Sequence, residues 1–560
     1  MSTPSPSLYF DYPFYEFARP PELEGKGGHY PLVIVGAGPV GLVAALELAR
    51  HGVASVVLDG KSSVSEGSRA ICIARHSMEC LQQLELDEVF AGKALPWTHG
   101  TSYYRDREVY RLEMPHSGHE RFYPMYNLQQ QYIEKFLVDQ AEANPLVELR
   151  WQSRVSDLGQ DEQGVSVAVD TAEGAYQLRA DYLLAADGAR GVCRQALGLS
   201  LNGDAYEGRY VIADIQMKSS YPTERRAFFD PLSNPGLTIL IHKQPDDIWR
   251  IDYQIDEHMD DEQELKEENV RKRINSILEM IGERGEWQLE WWSLYKADTL
   301  ALDDYRHKRV MFIGDAAHLV PIFGVRGLNS GIADAMNVAW KLAYVVNGLA
   351  GEKILDSYSP ERRGATLDVF ENASKSTRFM TPPSRGHQLM RDAVLSLSIS
   401  NDFSRHLINP RQSQPYTYID SPLCVYRQGD EGFSGGAGSG APIFNHCLED
   451  SSFLLDYIGR GFSAIYFNDE NEIDTDVLGL SQALSVGNEK CSLIIISSVP
   501  VSAPKTQVLL DSKRELFQRY AAENGSVYLV RPDRHVLGRW KKCEIHEVLQ
   551  AFRQCLEGGK

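Results

Sequence analysis

The clearest pattern along the chain is an apolar run, Pro31-Leu32-Val33-Ile34-Val35, that breaks at Gly36-x-Gly38-x-x-Gly41 and is followed by a helical stretch and a second apolar run ending on Asp59. This order predicts a strand–helix–strand unit with glycines at its turn. Two further continuous apolar runs predict buried strands. Tyr182–Ala186 ends in Asp187-Gly188 and is followed by Arg190 and Arg194, and Val310–Ile313 ends in Gly314-Asp315. After Pro321 and Gly324 the pattern turns helical: Ile332, Ala335, Met336, Ala339, Trp340, Ala343 and Val346 recur at steps of three and four, giving one apolar face. Between about 206 and 305 the pattern is β-rich, as in Leu237–Lys243 and Trp249–Gln254, where alternation puts Arg250, Asp252 and Gln254 on one face. Near the end come an apolar run at Cys491–Ile496, a helical stretch at 513–524, a hairpin-like segment at 525–540 and a last helix.

The first unit has the chemistry of a dinucleotide site. Gly36 allows the tight turn, Gly38 lets backbone approach a pyrophosphate, and Gly41 lets the helix pack on the strand. Ala37 and Pro39 complete the fingerprint, the helix start offers unpaired N–H groups to phosphate, and Asp59 is placed to accept from a ribose diol.

Composition narrows the class. The 560 residues, 43% hydrophobic and 24% charged, suit a globular chain of about three to four domain-sized units. A net charge of -20 argues against nucleic acid or an anionic membrane as the main partner. No signal peptide and no membrane-length apolar run are expected. Eight cysteines without a Cys-x-x-Cys pair suggest a reduced, cytoplasmic protein and argue against a disulfide reductase, as does the absence of a second nucleotide fingerprint. No Gly-x-Ser-x-Gly elbow supports a serine hydrolase. His116-x-x-His119-Glu120 lies in a Pro/Ser/Gly-rich stretch and reads as a solvated turn, so no metal is assigned.

With these three motifs the chain resembles the single-component flavin-dependent aromatic hydroxylases. The resemblance implies an α/β fold: a Rossmann-like FAD-binding domain, an inserted β-sheet substrate domain and a C-terminal thioredoxin-like domain, like that of the 3-(3-hydroxyphenyl)propionate and phenol hydroxylase groups. The expected limits are an aromatic N-terminal arm (1–30) packed on the protein or on a second subunit, FAD-binding parts at 31–205 and 306–372, the inserted sheet at 206–305, a helical segment and linker at 373–440, and the C-terminal unit at 441–560. Gly435–Gly440 reads as a flexible linker.

By resemblance, Asp59 holds the adenosine ribose, Asp187, Gly188 and Arg190 lie near the pyrophosphate and the nicotinamide co-substrate, and Gly314-Asp315 binds the ribityl or ribose hydroxyls. Pro321 and Gly327-Leu328-Asn329 border the isoalloxazine, and Arg69 and Gln130 sit at further flavin contacts. Many relatives have Gly-Gly-Gln-Gly at Gly324–Gly327 and a second proline at Ile322, so the role of Arg326 stays open. The candidates near substrate are Pro321, His242, Arg250 and Asp252. For the sheet trio an exposed polar face is an equal alternative, and His242 reads better as a satisfied sheet histidine than as a base. The implied reaction uses FAD, NAD(P)H and O2 to hydroxylate a phenolic ring through a flavin C4a-hydroperoxide, in a homodimer. Epoxidation, Baeyer–Villiger insertion or a non-catalytic flavin redox sensor are the alternatives.

Overall fold

A computed structural model describes residues 6–256, 258–321, 324–405, 407–408, 414–424, 430, 432–504 and 506–559. The glycine fingerprint folds as strand His29–Val35, helix Pro39–Arg50 and strand Ser55–Leu58. Pro39 opens the helix, where its missing N–H would have had no helical partner. His29–Val35 pairs in parallel with Ser55–Leu58 on one side and with Gly174–Ala185 on the other, and Val310–Phe312 continues the parallel set. Parallel sheets must be covered on both faces, which is why these strands read as unbroken apolar runs. The helix Gly327–Val346 packs on Pro39–Arg50 and supplies part of that cover. The carboxyl ends of three parallel strands therefore deliver Gly36, Asp187 and Gly314 to one edge.

A second eight-stranded sheet lies above this edge, in the order His318–Leu319, Trp287–Ala301, Asn202–Met217, Ile248–Ile255, Thr238–Lys243, Arg225–Phe229, His99–Tyr104 and Arg107–Glu113. It is not confined to 206–305, because it takes two strands from the first FAD-binding part and one from the second. One face packs on the helix Glu267–Met280 through Val270, Ile274, Ile277 and Leu278. The other packs at one end on Met380, Val394 and Leu395 of the helices Tyr358–Met380 and Arg385–Ser398.

The C-terminal unit is a five-stranded sheet in the order Gln507–Leu510, Ser492–Ser497, Ser463–Asn468, Val527–Val530 and Val536–Trp540, the first three parallel and the hairpin antiparallel. One of its faces joins the core of the FAD-binding part, where Phe462 meets Trp340 and Tyr344 and is backed by Phe552.

Two local expectations are corrected and a third is narrowed. The helix expected over 513–524 covers only Glu515–Arg519, and Ala521 then turns left-handed at φ +48°. The glycine run is packed: a Cβ on Gly436 would meet the Tyr520 carbonyl oxygen at 2.3 Å and one on Gly440 that of Tyr418 at 2.5 Å. Its glycines serve close backbone approach, not slack. The aromatic arm lies on its own chain, with Tyr15 stacked on Trp151 at 4.3 Å and Phe10 edge-on to Tyr132 at 5.1 Å.

Candidate functional site

The lower half of the site is the cleft at the strand ends. A Cβ on Gly36 would meet the Ala186 oxygen at 2.4 Å and one on Gly41 the Gly36 oxygen at 2.1 Å, whereas nothing lies within 4 Å of one on Gly38. Gly36 and Gly41 thus serve the fold, and Gly38 borders open space. Asp59 accepts from Ala37 N and Lys61 N, both at 2.8 Å, so its carboxylate is held at the strand end. Asp187 accepts from Cys193 N at 2.8 Å, and its other oxygen is buried without a partner. Arg194 donates to the carbonyls of Gly188, Ala189 and Ala316, tying the Asp187-Gly188 turn to the Gly314-Asp315 turn. Arg190 points to solvent.

Asp315 opens onto the cleft while protein surrounds it, and that enclosure raises its pKa against the pull of His318, Arg69 and Arg194. Behind it, Asp334 accepts from Gly314 N at 3.0 Å and from Arg362 at 2.7 Å and lies 2.8 Å from His318 Nε2. Asn329 accepts from Ala74 N and Ser77 Oγ and donates to the Val325 and Cys72 carbonyls. That occupies both donors of its amide and two bonds on its oxygen, so its side chain pins the helix start to a neighbouring strand. Gln130 accepts from Arg69 N and Ala70 N, and so positions the loop carrying the exposed Arg69 side chain. Pro321 is buried, and Ile322 lies outside the described residues. Val325 holds φ +61° two residues before the helix, a strained conformation for a β-branched side chain.

The upper half is one face of the second sheet. Cross-strand register sets Arg225, His242, Arg250, Asp214 and Trp291 in a row, with Ala227, Leu240, Asp252, Ile212 and Ser293 in the next. Arg250, Asp252 and Gln254 do share this face, but all three are buried, which corrects the exposed alternative. Arg250 donates to Asp214 at 2.8 and 2.9 Å and to the carbonyls of Ser68 and Arg69, so it clamps the loop below.

Asp252 is different. Its Oδ1 is buried without a partner, and burial, helped by Asp214 and opposed by Arg250 and Arg225, raises its pKa to about 7. His242 is not the satisfied sheet histidine expected. Its Nδ1 has no partner, and burial together with Arg225 and Arg250 pushes its pKa well below the ordinary value, which leaves a neutral imidazole. Between sheet and cleft lies an apolar cluster of Ile71, Cys72, Ala74, Trp97 and Met125, with Met114 and Val325 against it. Asn127 fixes this wall by accepting from Trp97 Nε1 at 2.8 Å.

Arg225, Trp97, Arg194 and Asp334 were not among the candidates. Alternation places Arg225 with Ala227 and Phe229, but adjacent arginines in a short strand look solvent-facing until the covering layers are known. His119, read as part of a solvated turn, stacks on His446 at 4.8 Å and 4° beside Glu515. Parallel rings aim their lone pairs along parallel planes and not at one point, so this trio forms a polar seam to the C-terminal unit.

Residues 29–373 match the FAD binding domain family. The 3-(3-hydroxy-phenyl)propionate/3-hydroxycinnamic acid hydroxylase of Mycolicibacterium smegmatis is 24% identical over 526 residues, covering 91% of this chain and 90% of that protein. The para-nitrophenol 4-monooxygenase of a Pseudomonas species is 27% identical over 379 residues, covering 66% of this chain and 92% of that protein. Among solved structures, the flavin-dependent monooxygenase PieE in complex with FAD and substrate superposes with a TM-score of 0.79 at 21% identity, over 95% of this chain and 99% of that one. The open space at Gly38 and the cleft-facing carboxyl of Asp315 fit an FAD laid along the cleft, and with the match spanning more than half its length, the chain belongs to the FAD binding domain family.

Proposed function

We propose that this protein is an FAD-dependent monooxygenase that uses NAD(P)H and O2 to hydroxylate a phenolic or related aromatic substrate. The observation that carries the reading is the stacking of two unlike half-sites: a dinucleotide cleft below, and above it a buried sheet face with unpartnered polar groups, separated by an apolar wall. The names of the two curated relatives support the aromatic substrate.

Asp59 takes the adenosine ribose, Gly38 and the Asp187-Gly188 turn line the pyrophosphate, and Asp315 takes the ribityl hydroxyls. Pro321 and the backbone of Gly327–Asn329 border the ring system, where helix-start N–H groups stabilise negative charge without reorganising. FAD, when bound, supplies the hydride acceptor and the site of oxygen activation. The chain itself orients the substrate and excludes water. We read His242 Nδ1, neutral and unpartnered, as a hydrogen-bond acceptor for the phenol hydroxyl. NAD(P)H binds transiently, because one nucleotide fingerprint is already used by FAD. The C-terminal sheet, parallel strands followed by an antiparallel hairpin, supports a thioredoxin-like unit, and the unpaired thiols support a cytoplasmic setting for a homodimer.

The test is NAD(P)H oxidation with a panel of phenols and aromatic acids under labelled oxygen gas. Slow oxidation alone, faster oxidation with the right ring and one labelled atom in a new hydroxyl group are expected. Label found only in peroxide or water for every stimulating compound overturns the hydroxylase reading.

A further inference from the structure

Arg225 is buried in the roof, and none of the described residues accepts a hydrogen bond or ion pair from its guanidinium. Its row-mate Arg250 differs in kind, since Asp214 and two backbone carbonyls take up its donors. A buried, unpaired guanidinium is costly to maintain. The groups facing it are His242 opposite on the adjacent strand, Asp252 diagonal to His242, Arg250 and Asp214 farther along the row, Tyr210 two residues from Ile212, and Cys72 below. Arg250 and Asp214 neutralise one another. His242 is neutral, and burial keeps the Cys72 thiol and the Tyr210 phenol protonated, their pKa values being raised. Arg225 and Asp252 remain. With Asp252 protonated the face carries one uncompensated positive charge, beside an apolar wall of Cys72, Trp97, Met125 and Val325.

We propose, building on the hydroxylase reading, that the substrate is an aromatic anion whose oxyanion is bound by Arg225 while its ring lies against that apolar wall. The guanidinium offers the two-pronged donor geometry that an oxyanion accepts. Asp252 then acts as a gate on charge. Protonated, it tolerates the anion and offers it a hydrogen bond, and ionised, it repels the anion and pairs with Arg225 instead. Affinity for an anionic ring is therefore highest below about pH 7 and falls as Asp252 loses its proton, whereas a neutral ring of the same shape shows no such fall.

The experiment is calorimetric titration of the FAD-loaded protein, from pH 6 to 8.5 as about the usable range, with three probes. These are 3-(3-hydroxyphenyl)propionate, its uncharged counterpart 3-(3-hydroxyphenyl)propanol, and 2,4-dinitrophenolate, a nitrophenolate ionised throughout this range. The wild type is expected to bind an anionic probe at least about tenfold more tightly than the alcohol at pH 6.5. A preference for the propionate assigns the oxyanion to a side-chain carboxylate, and a preference for the nitrophenolate assigns it to the ring oxygen. Arg225→Met should abolish the preference while changing affinity for the alcohol by less than about threefold, Arg225→Lys should keep part of it, and Asp252→Asn should flatten the pH dependence. Equal affinity of the wild type for charged and uncharged probes overturns the inference without any variant having to fold, as does an Arg225→Met variant that weakens all probes alike. Labelled oxygen entering neutral phenols with no preference for anions leaves the hydroxylase reading standing and removes this one. Tight anion binding with no labelled product from any ring does the reverse.

Discussion

At the scale of single residues, the cleft is made of groups that the fold has either used or left open. Asn329, Gln130 and Asp187 are taken up wholly or partly by bonds within the protein, while Asp315 faces the cleft. Asp315→Ala should therefore weaken FAD binding by at least about tenfold, read as the flavin-to-protein absorbance ratio and by titration of the apoprotein. Full FAD occupancy at unchanged thermal stability contradicts the assignment. The motif positions of these residues were legible because strand ends and glycine turns are local features. Which of them would be saturated by neighbours was not, since the partners of Asn329 lie about 250 residues earlier in the chain.

At the scale of elements, alternation in Ile248–Ile255 correctly put Arg250, Asp252 and Gln254 on one face, yet every residue of that strand is buried. The exposed alternative fails because the face is covered from outside the strand, by the FAD-binding part at one end and by two helices at the other. Arg250 makes this cover a clamp. It holds the Ser68 and Arg69 carbonyls, Trp291 packs over Gly67, and Tyr12 of the arm accepts from Gly67 N. Arg250→Met would strand the buried Asp214 carboxylate and release this loop. We expect a loss of about 3–5 kcal/mol of stability by denaturant titration, with weaker FAD retention as its companion. A variant as stable as the wild type would mean that the pair is not a brace.

At the scale of the whole molecule, the C-terminal unit is joined to the FAD-binding part by buried charge as well as by apolar packing. Arg531 donates to both oxygens of Glu361, at 2.6 and 2.9 Å, and Lys341 donates to the same carboxylate at 2.7 Å. Glu361→Gln leaves two buried cations short of a partner and should cost about 3–5 kcal/mol, seen as a lower and less cooperative thermal transition. Burial opposes ionisation of Glu361 and Asp533, but Arg531 and its neighbours outweigh it and hold both pKa values low. Glu47 is likewise held down, to about 2, by Arg50 and His51 against burial. Carboxyls with depressed folded pKa values stabilise the protein fully above their ordinary values near 4 and lose that contribution as pH falls through the folded ones. Stability should thus fall steeply between about pH 4 and 2, and Glu361→Gln should make the fall shallower. The same unit should carry no thiol chemistry. Burial raises the thiols of Cys491 and Cys555 to about 12 and that of Cys543 to about 11, and thiol exchange needs thiolate. Replacing Cys447, Cys491, Cys543 and Cys555 by Ser should leave turnover intact, whereas activity lost and then restored by an added dithiol would overturn this view.

The sequence by itself determined the dinucleotide unit, the two Asp-bearing strand ends and the family resemblance, because each is written in a short stretch whose spacing reflects backbone geometry. The tertiary structure alone decided which polar groups in the roof are satisfied. Arg225 and Arg250 are alike in type, strand context and burial, and they differ because Asp214 and the Ser68–Arg69 carbonyls lie beside one and not the other. Partners of that kind come from distant segments brought together by sheet register and domain packing, and register is a property of the assembled sheet, not of any one strand.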